Sequence, residues 1–269
     1  MIDLVIVNYR TPADLRECLQ SLNEVWLPPG SSVTVMNVDA RPIDVAVAEE
    51  FRPTQEQYRH YEYDVNVGYA TAVNDGAFWG NSDFLGIFNA DVVFRPGVIP
   101  ECVQALRENP EWGVLGPRQV DARNRLTHSG LYDSGGRLVD RGWRKPDMAA
   151  FADIREVPSV SGSAYFVRRS AWESLTSCPL YQQVAPGAKG AFLPTQHYYE
   201  DEWCSRHAVA HGWKVIYYGP VVMVHKWHRA STVGGPAEMA LPVSRKYFRE
   251  ACQVHGISPS SDPMGASIL

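Results

Sequence analysis

Phe84-Leu85-Gly86-Ile87-Phe88-Asn89-Ala90-Asp91 is an apolar run that stops on an amide and a carboxylate. Residues 84–88 carry no charge and predict a buried strand. The preceding residues alternate in the same way. Residues 4–7 read as a first strand, and Thr11 and Pro12 suit the cap and first turn of a helix. Leu15, Cys18, Leu19 and Leu22 recur at helical spacing and face a sheet. Residues 33–38 form the next strand, ending at Asp39. Residues 69–79 read as a helix, and Pro96 opens another with Ile99, Val103 and Leu106 on one face. Alternation of this kind implies an α/β fold with a mostly parallel central sheet flanked by helices, and ligands at the carboxyl ends of its strands. Asp39 and Asp91 both follow strands and belong on that edge.

The second half is less regular. Residues 121–154 mix Arg and Lys with Asp and read as a solvated connecting segment. Residues 157–167 return as a strand carrying Ser161-Gly162-Ser163, and Ser170 with Glu173 forms a capping box for a helix over 171–175. Residues 176–196, with several prolines and glycines, read as a long mobile loop. A helix runs from Glu200 to before Gly212, strands follow at 214–218 and 221–225, and a last helix covers 243–255.

At 269 residues and 30.0 kDa, with 45% hydrophobic and 20% charged residues, the chain has the composition of a globular enzyme. A formal net charge of -5 offers no global attraction for nucleic acid. Any anionic substrate needs a local device. Five scattered cysteines (18, 102, 178, 204 and 252) form no Cys-x-x-Cys pair, which favours reduced thiols over a disulfide framework or a zinc site. The first residues are too short and too acidic for a signal peptide, and no run approaches the roughly 18 apolar residues of a membrane span. The expectation is a soluble cytoplasmic protein.

The first glycine is Gly30. A dinucleotide-binding turn and a P-loop both need glycines after the first strand, so a dehydrogenase and an NTPase are disfavoured. A nucleotide diphosphate bound here needs a cation to screen it. Asp91 supplies a carboxylate for Mg²⁺ or Mn²⁺, with Asn89 on the cation or the ribose; a plain turn is the other reading of the same residues. His225 ends an apolar strand and offers an imidazole to Mn²⁺ or to phosphate, with His228 a weaker candidate. In Glu200-Asp201-Glu202, side chains one apart diverge by about 100° on a helix, so not all three face one cleft. One of them pairs with Arg206 at i,i+4 spacing. The helix dipole lowers their pKa values, and a general base among them needs burial or like-charge neighbours as an offset. Asn66-Val-Gly68-Tyr-Ala-Thr-Ala-Val-Asn74 turns at Gly68 into a helix whose free N–H groups suit phosphate. Trp203 and Trp227 stand beside these motifs as walls of a pocket or as core.

In combination these motifs resemble the family-2 glycosyltransferases of GT-A fold, in particular a rhamnosyltransferase-like branch. The resemblance runs from Leu4 to about Ser231. It implies nucleotide-sugar contacts from Val7, Asn8, Tyr9, Asp39, Asn66, Gly68, Asn74, Asn89, Ala90 and Asp91. It implies an acceptor side at Ser161, Gly162, Ser163 and Trp203, and a closing histidine motif at His225 and Ser231. A divalent cation, Mg²⁺ or Mn²⁺, would be held by Asp91 and His225. Glu200-Asp201-Glu202 resembles the catalytic-base motif but is one residue shorter than the common form, so the base is Asp201 or Glu202, with Asp201 preferred. The stretch after Asp39 also lacks the usual Asn-x-Ser. Residues 1–232 are then one catalytic domain, with a nucleotide-sugar-binding half (1–120) and an acceptor half (121–232). Residues 233–269 form a C-terminal helical tail.

The implied activity is inverting transfer of a hexose or deoxyhexose from a nucleotide-diphosphate sugar to a saccharide, a lipid-linked saccharide, a peptide or a small natural product. A homodimer is compatible with it, and nucleic acid is not a partner. Two rivals differ in what they require. A sugar nucleotidyltransferase needs a glycine-rich basic loop near the N-terminus, which is missing. A non-catalytic carbohydrate-binding relative has no need of the acids, which are all present.

Overall fold

The structure is a computed structural model and describes residues 1–50, 57–227 and 236–260. His228 and Ser231 lie outside the described residues. The first half contains Ile2–Tyr9 (β1), Pro12–Asn23 (α1), Ser32–Val38 (β2), Pro42–Glu50 (α2), Gln57–Glu62 (β3) and Tyr69–Phe78 (α3). Phe84–Asn89 (β4), Val92–Val93 (β5), Val98–Glu108 (α4) and Trp112–Val120 (β6) follow. Next come Leu126–His128 (β7), Leu131–Ser134 (β8), Arg137–Asp140 (β9), Ile154–Glu156 (β10) and Ala164–Arg168 (β11). The chain continues through Arg169–Thr176 (α5), Pro179–Val184 (α6), Glu200–Ala210 (α7), Lys214–His225 (β12) and Pro236–His255 (α8).

The main sheet has the order β10-β12-β6-β11-β4-β1-β2-β3. Strands β3, β2, β1 and β4 run parallel, as do β6 and β12, while β11 is antiparallel to both neighbours. The two-residue period of β1 sorts its side chains to opposite faces. Ile2, Leu4 and Ile6 meet Leu15, Leu19 and Leu22 of α1 and Ile99, Val103 and Leu106 of α4. Val5 and Val7 meet Ala70 and Val73 of α3, in a cluster that also holds Trp172 of α5 and Cys204 of α7. Helices therefore cover both faces. This is the mostly parallel α/β sheet that the alternation predicts.

The antiparallel strand positions the site. Parallel strands β1, β2 and β4 all exit at one edge, and β11, reversed, enters there. The pairing Ala164↔Phe88 sets the start of β11 against the end of β4. The Asn89 N–H donates to the Ser163 carbonyl at 3.1 Å.

Several local expectations are corrected. Residues 157–163 are not strand, because Ser161-Gly162-Ser163 forms the turn that leads into β11. Helix α5 starts at Arg169 with Arg168 at its N-cap, so Ser170 already lies inside the first turn and no capping box forms. Thr11 does occupy the N-cap of α1, but its hydroxyl donates to Asn8 Oδ1 at 2.9 Å instead of capping. The two strands expected at 214–225 are one, β12, with a register shift between Tyr218 and Val222. Residues 176–196 are packed rather than loose. They contain α6 and bury Tyr181, Phe192 and Leu193, and the Tyr181 hydroxyl donates to the carbonyls of Gly190 and Phe192 at 3.0 and 2.8 Å. In residues 121–154 several of the charges are paired, as in Arg125–Asp121 at 2.6 Å and Arg141–Asp153 at 2.7 Å, and β7 to β9 bury Leu126, Leu131 and Leu138.

Candidate active site

Strand β4 ends where two backbone contacts fix its exit. The Ala90 N–H donates to the Val7 carbonyl at 3.0 Å, and the Lys226 N–H donates to the Asp91 carbonyl at 3.0 Å. Pairing of β5 with β12 places His225 opposite Val92. Asp91 Oδ1 and His225 Nε2 are consequently 3.5 Å apart, each residue 7% exposed. A carboxylate oxygen and an imidazole nitrogen held this close form a donor pair that fits Mn²⁺ or a similar ion.

A second acid arrives at the same edge through backbone. Asp201 Oδ2 accepts the Gly162 N–H at 2.7 Å, one residue from the Ser163 carbonyl that holds Asn89. A Cβ at Gly162 would lie 3.0 Å from Asp201 Cβ and crowd that acid. The Tyr69 hydroxyl donates to the Gly162 carbonyl at 2.8 Å. Its own pKa is raised well above the usual value, first by burial and then by Glu200, Asp201 and Asp91, so all three carboxylates share its surroundings. Gly68, at φ 84°, lets the chain pass against Gln196, and a Cβ there would meet the Gln196 carbonyl oxygen at 2.8 Å.

The acidic triplet divides as helical geometry demands. Glu200 is buried, accepts from Thr195 Oγ1 at 3.2 Å, and has its pKa pushed up to about 8 by burial and then by Asp201. Asp201 keeps more exposed surface than its neighbours, and burial raises its pKa against the hydrogen bonds from Gly162 and Glu202. Glu202 turns away. Its Oε1 accepts from Arg206 Nε at 2.6 Å and its Oε2 from Ser260 Oγ at 2.7 Å. Glu202 is thus the acid that pairs with Arg206, and its carboxylate is committed to that pair and to Ser260.

Other candidate residues also separate. Asp39, in the left-handed region at φ 52°, follows β2 and pairs with Arg10 at 2.8 Å. Since β1 alone separates β2 from β4, Asp39 and Asp91 follow strands that end on one sheet edge. Tyr9 ends β1 between them, half-buried, with the Arg10 guanidinium 5.9 Å from its ring centre. Asn66 Oδ1 accepts the Gly68 N–H at 3.0 Å and so builds the turn before α3. Three side chains are placed inward, contrary to expectation. Asn8 donates to Asn37 and Asp44 and accepts from Thr11. Asn74 exchanges hydrogen bonds with the backbone of Phe192 at 2.8 and 3.1 Å. Trp203 is fully buried in a cluster with Tyr181 and Phe248, so it is core and lines no acceptor pocket. Trp227 packs on Trp143 with ring centres 4.8 Å apart, beside His225.

Sequence reasoning did not single out Tyr69 or Thr195, although Tyr69 lies within the quoted 66–74 stretch. It also passed over Gln119, whose Oε1 accepts from Ser163 Oγ at 2.7 Å, and the buried pair His128–Asp140 at 3.2 Å. Asp140 had the look of a solvated acid because its partner lies twelve residues away in sequence.

The family model for glycosyl transferase family 2 matches residues 3–175, and the chain belongs to that family. No curated protein matches it. Among solved structures it is similar to a mannosyltransferase from Pyrobaculum calidifontis in complex with GDP-Man and Mn²⁺, with 13% identity and a TM-score of 0.60 over 94% of this chain. It is also similar to S. aureus TarS residues 1–349 (10% identity, TM-score 0.59, 94% of this chain and 69% of that one). A third similar structure is GalNAc-T7 with UDP, GalNAc and Mn²⁺ (10% identity, TM-score 0.65, 96% of this chain). The chain spans 64% of the mannosyltransferase and 55% of GalNAc-T7. These likenesses establish the GT-A fold. Among the described residues, no helix is long and apolar enough to cross a membrane.

Proposed function

We propose that this glycosyltransferase is inverting, taking a hexose or deoxyhexose from a nucleotide-diphosphate sugar, with Asp201 as general base. The observation that supports this reading best is the backbone relay from Asn89 through Ser163 and Gly162 to Asp201, which brings Asp91 and Asp201 to one edge. Asp201 takes the proton from the acceptor nucleophile as that atom attacks the anomeric carbon and the bond to the diphosphate breaks. One displacement inverts the centre and needs no covalent intermediate. Burial raises the proton affinity of Asp201, which suits a base at neutral pH. Glu200 behind it adds like charge whenever both are ionised.

Asp91 and His225 would hold a divalent cation, which when bound neutralises charge on the departing diphosphate. The cations and nucleotides named for the mannosyltransferase and GalNAc-T7 support a donor of that class. Asp39, two strands away, would contact the ribose or base of such a donor. The five buried thiols suit a reducing compartment, and we place the reaction in the cytoplasm.

The test is a panel of nucleotide sugars with Mg²⁺ or Mn²⁺, scored for released nucleotide diphosphate and for donor-induced thermal stabilisation. Release with one donor class is expected, and Asp91→Ala should weaken metal-dependent donor binding. Equal donor affinity with and without EDTA would remove the metal from the reading. Release of pyrophosphate would point instead to nucleotidyl transfer.

A further inference from the structure

A buried cluster further along α7 from the acids has no part in that chemistry. Cys178 at the N-cap of α6, His207 in the last turn of α7 and His255 at the end of α8 each offer one ligand atom. Those atoms all lie within 4.8 Å of one another. We infer that Cys178, His207 and His255 form a second metal site, selective for a zinc-like divalent ion, that fastens α8 to α7 and α6.

Three features support it. His207 is 0% exposed, and neither of its ring nitrogens has a hydrogen-bond partner among the described residues. A buried imidazole left without partners is costly, so something is expected to satisfy it. His255 Nδ1 donates to the Ala251 carbonyl at 2.9 Å, which leaves the Nε2 lone pair free, and buried Nε2 has no partner among the described residues. A histidine that gives one ring N–H to a backbone carbonyl and presents the other nitrogen is oriented as metal ligands usually are. Finally, one thiol with two imidazoles is a borderline-soft set that suits Zn²⁺ and not Mg²⁺.

The geometry needs only a small closure. Zn–S of about 2.3 Å and Zn–N of about 2.0–2.1 Å set ligand atoms about 3.5 Å apart around a tetrahedral ion. Side-chain movements of about 1 Å complete the set from the separations present. The fourth position falls to water or to the exposed His211, whose ring centre is 4.6 Å from that of His207. Binding releases the Cys178 thiol proton to solvent and forms the thiolate–metal bond. Sequence spacing gave no sign of this site, because its ligands come from three helices 29 and 48 residues apart rather than from a Cys-x-x-Cys pair.

Cobalt is the probe. The full chain is stripped with a chelator and titrated with Co²⁺, then with Zn²⁺ in competition. One equivalent of Co²⁺ should give a near-ultraviolet thiolate-to-cobalt band and the strong visible bands of a four-coordinate ion. Cys178→Ser, close in size to the native residue, should lose the thiolate band. His255→Ala, at a half-buried position, should weaken binding by at least about tenfold, the lower range for loss of mere supporting contacts. Asp91→Ala should keep the thiolate band, which separates this site from the one at Asp91 and His225. Zn²⁺ should displace Co²⁺ and raise the melting temperature of the native chain but not of His255→Ala. A native chain without a thiolate band, a band that survives in Cys178→Ser, or full Co²⁺ affinity in a folded His255→Ala would each overturn the inference.

Discussion

Asp201 accepts one backbone N–H on each carboxylate oxygen, from Gly162 and Glu202, and both bonds favour its ionised form. Burial works the other way and wins, so its pKa is raised. An acid of this kind stays in one rotamer yet accepts a proton readily. Asp201→Asn keeps the shape but cannot take the proton, so it should lower the transfer rate by about 10²- to 10⁴-fold with donor affinity unchanged. Turnover at the native rate would move the base to another residue. Glu200 makes a different prediction, about stability. Its folded pKa of about 8 lies above the usual carboxylate value of 4.5. The folded chain therefore binds the proton more tightly than the unfolded chain. That contribution is fully present below pH 4.5 and is lost as pH rises through about 8. Glu200→Gln should remove this loss, leaving a flatter dependence of chemical-denaturation stability between those pH values. An unchanged slope would show that Glu200 titrates alike in the two states.

At the scale of elements, the reversed strand β11 creates the site, and the segment before α7 closes it. Asn74 pins that segment by satisfying both backbone groups of Phe192. Asn74→Ala orphans the buried Phe192 N–H, at roughly 1–3 kcal/mol, while the Phe192 carbonyl keeps its bond from the Tyr181 hydroxyl. Its melting temperature should fall by several degrees, while the sugar-donor affinity of the folded fraction stays close to native. A selective loss of donor affinity at native stability would restore Asn74 as a ligand. The same elements explain how much was legible in the sequence. The exit of β4 at Asn89-Ala90-Asp91 and the helix at Glu200 were readable because apolar period and carboxylate placement coincide there. The inward roles of Asn8 and Asn74 were not, since their partners Asp44 and Phe192 lie 36 and 118 residues away. The extent of residues 176–196 was misread for a similar reason. Prolines and glycines there suggested looseness, while the order comes from Tyr181 bonding to backbone nine and eleven residues on.

Over the whole molecule, the two halves of the chain share one sheet. Strand β11 of the second half lies between β4 and β6 of the first, so neither half retains a complete core without the other. Arg169, the first residue of α5 directly after β11, ties this arrangement together from within. It is 8% exposed and donates to Asp3 of β1 at 2.8 Å, to the Ala77 carbonyl at 2.9 Å and to the Ser82 carbonyl at 3.2 Å. Removing one partner of a buried ion pair costs about 3–5 kcal/mol, because the remaining charge keeps its desolvation penalty. Arg169→Met should destabilise the chain by that amount, and adding Asp3→Asn should recover part of it by removing the stranded charge. If the halves form one cooperative unit, tryptophan fluorescence and far-ultraviolet circular dichroism should give coincident denaturant transitions, and Arg169→Met should move both together. Two separated transitions, with only one responding to Arg169→Met, would mean that the shared sheet does not couple the halves.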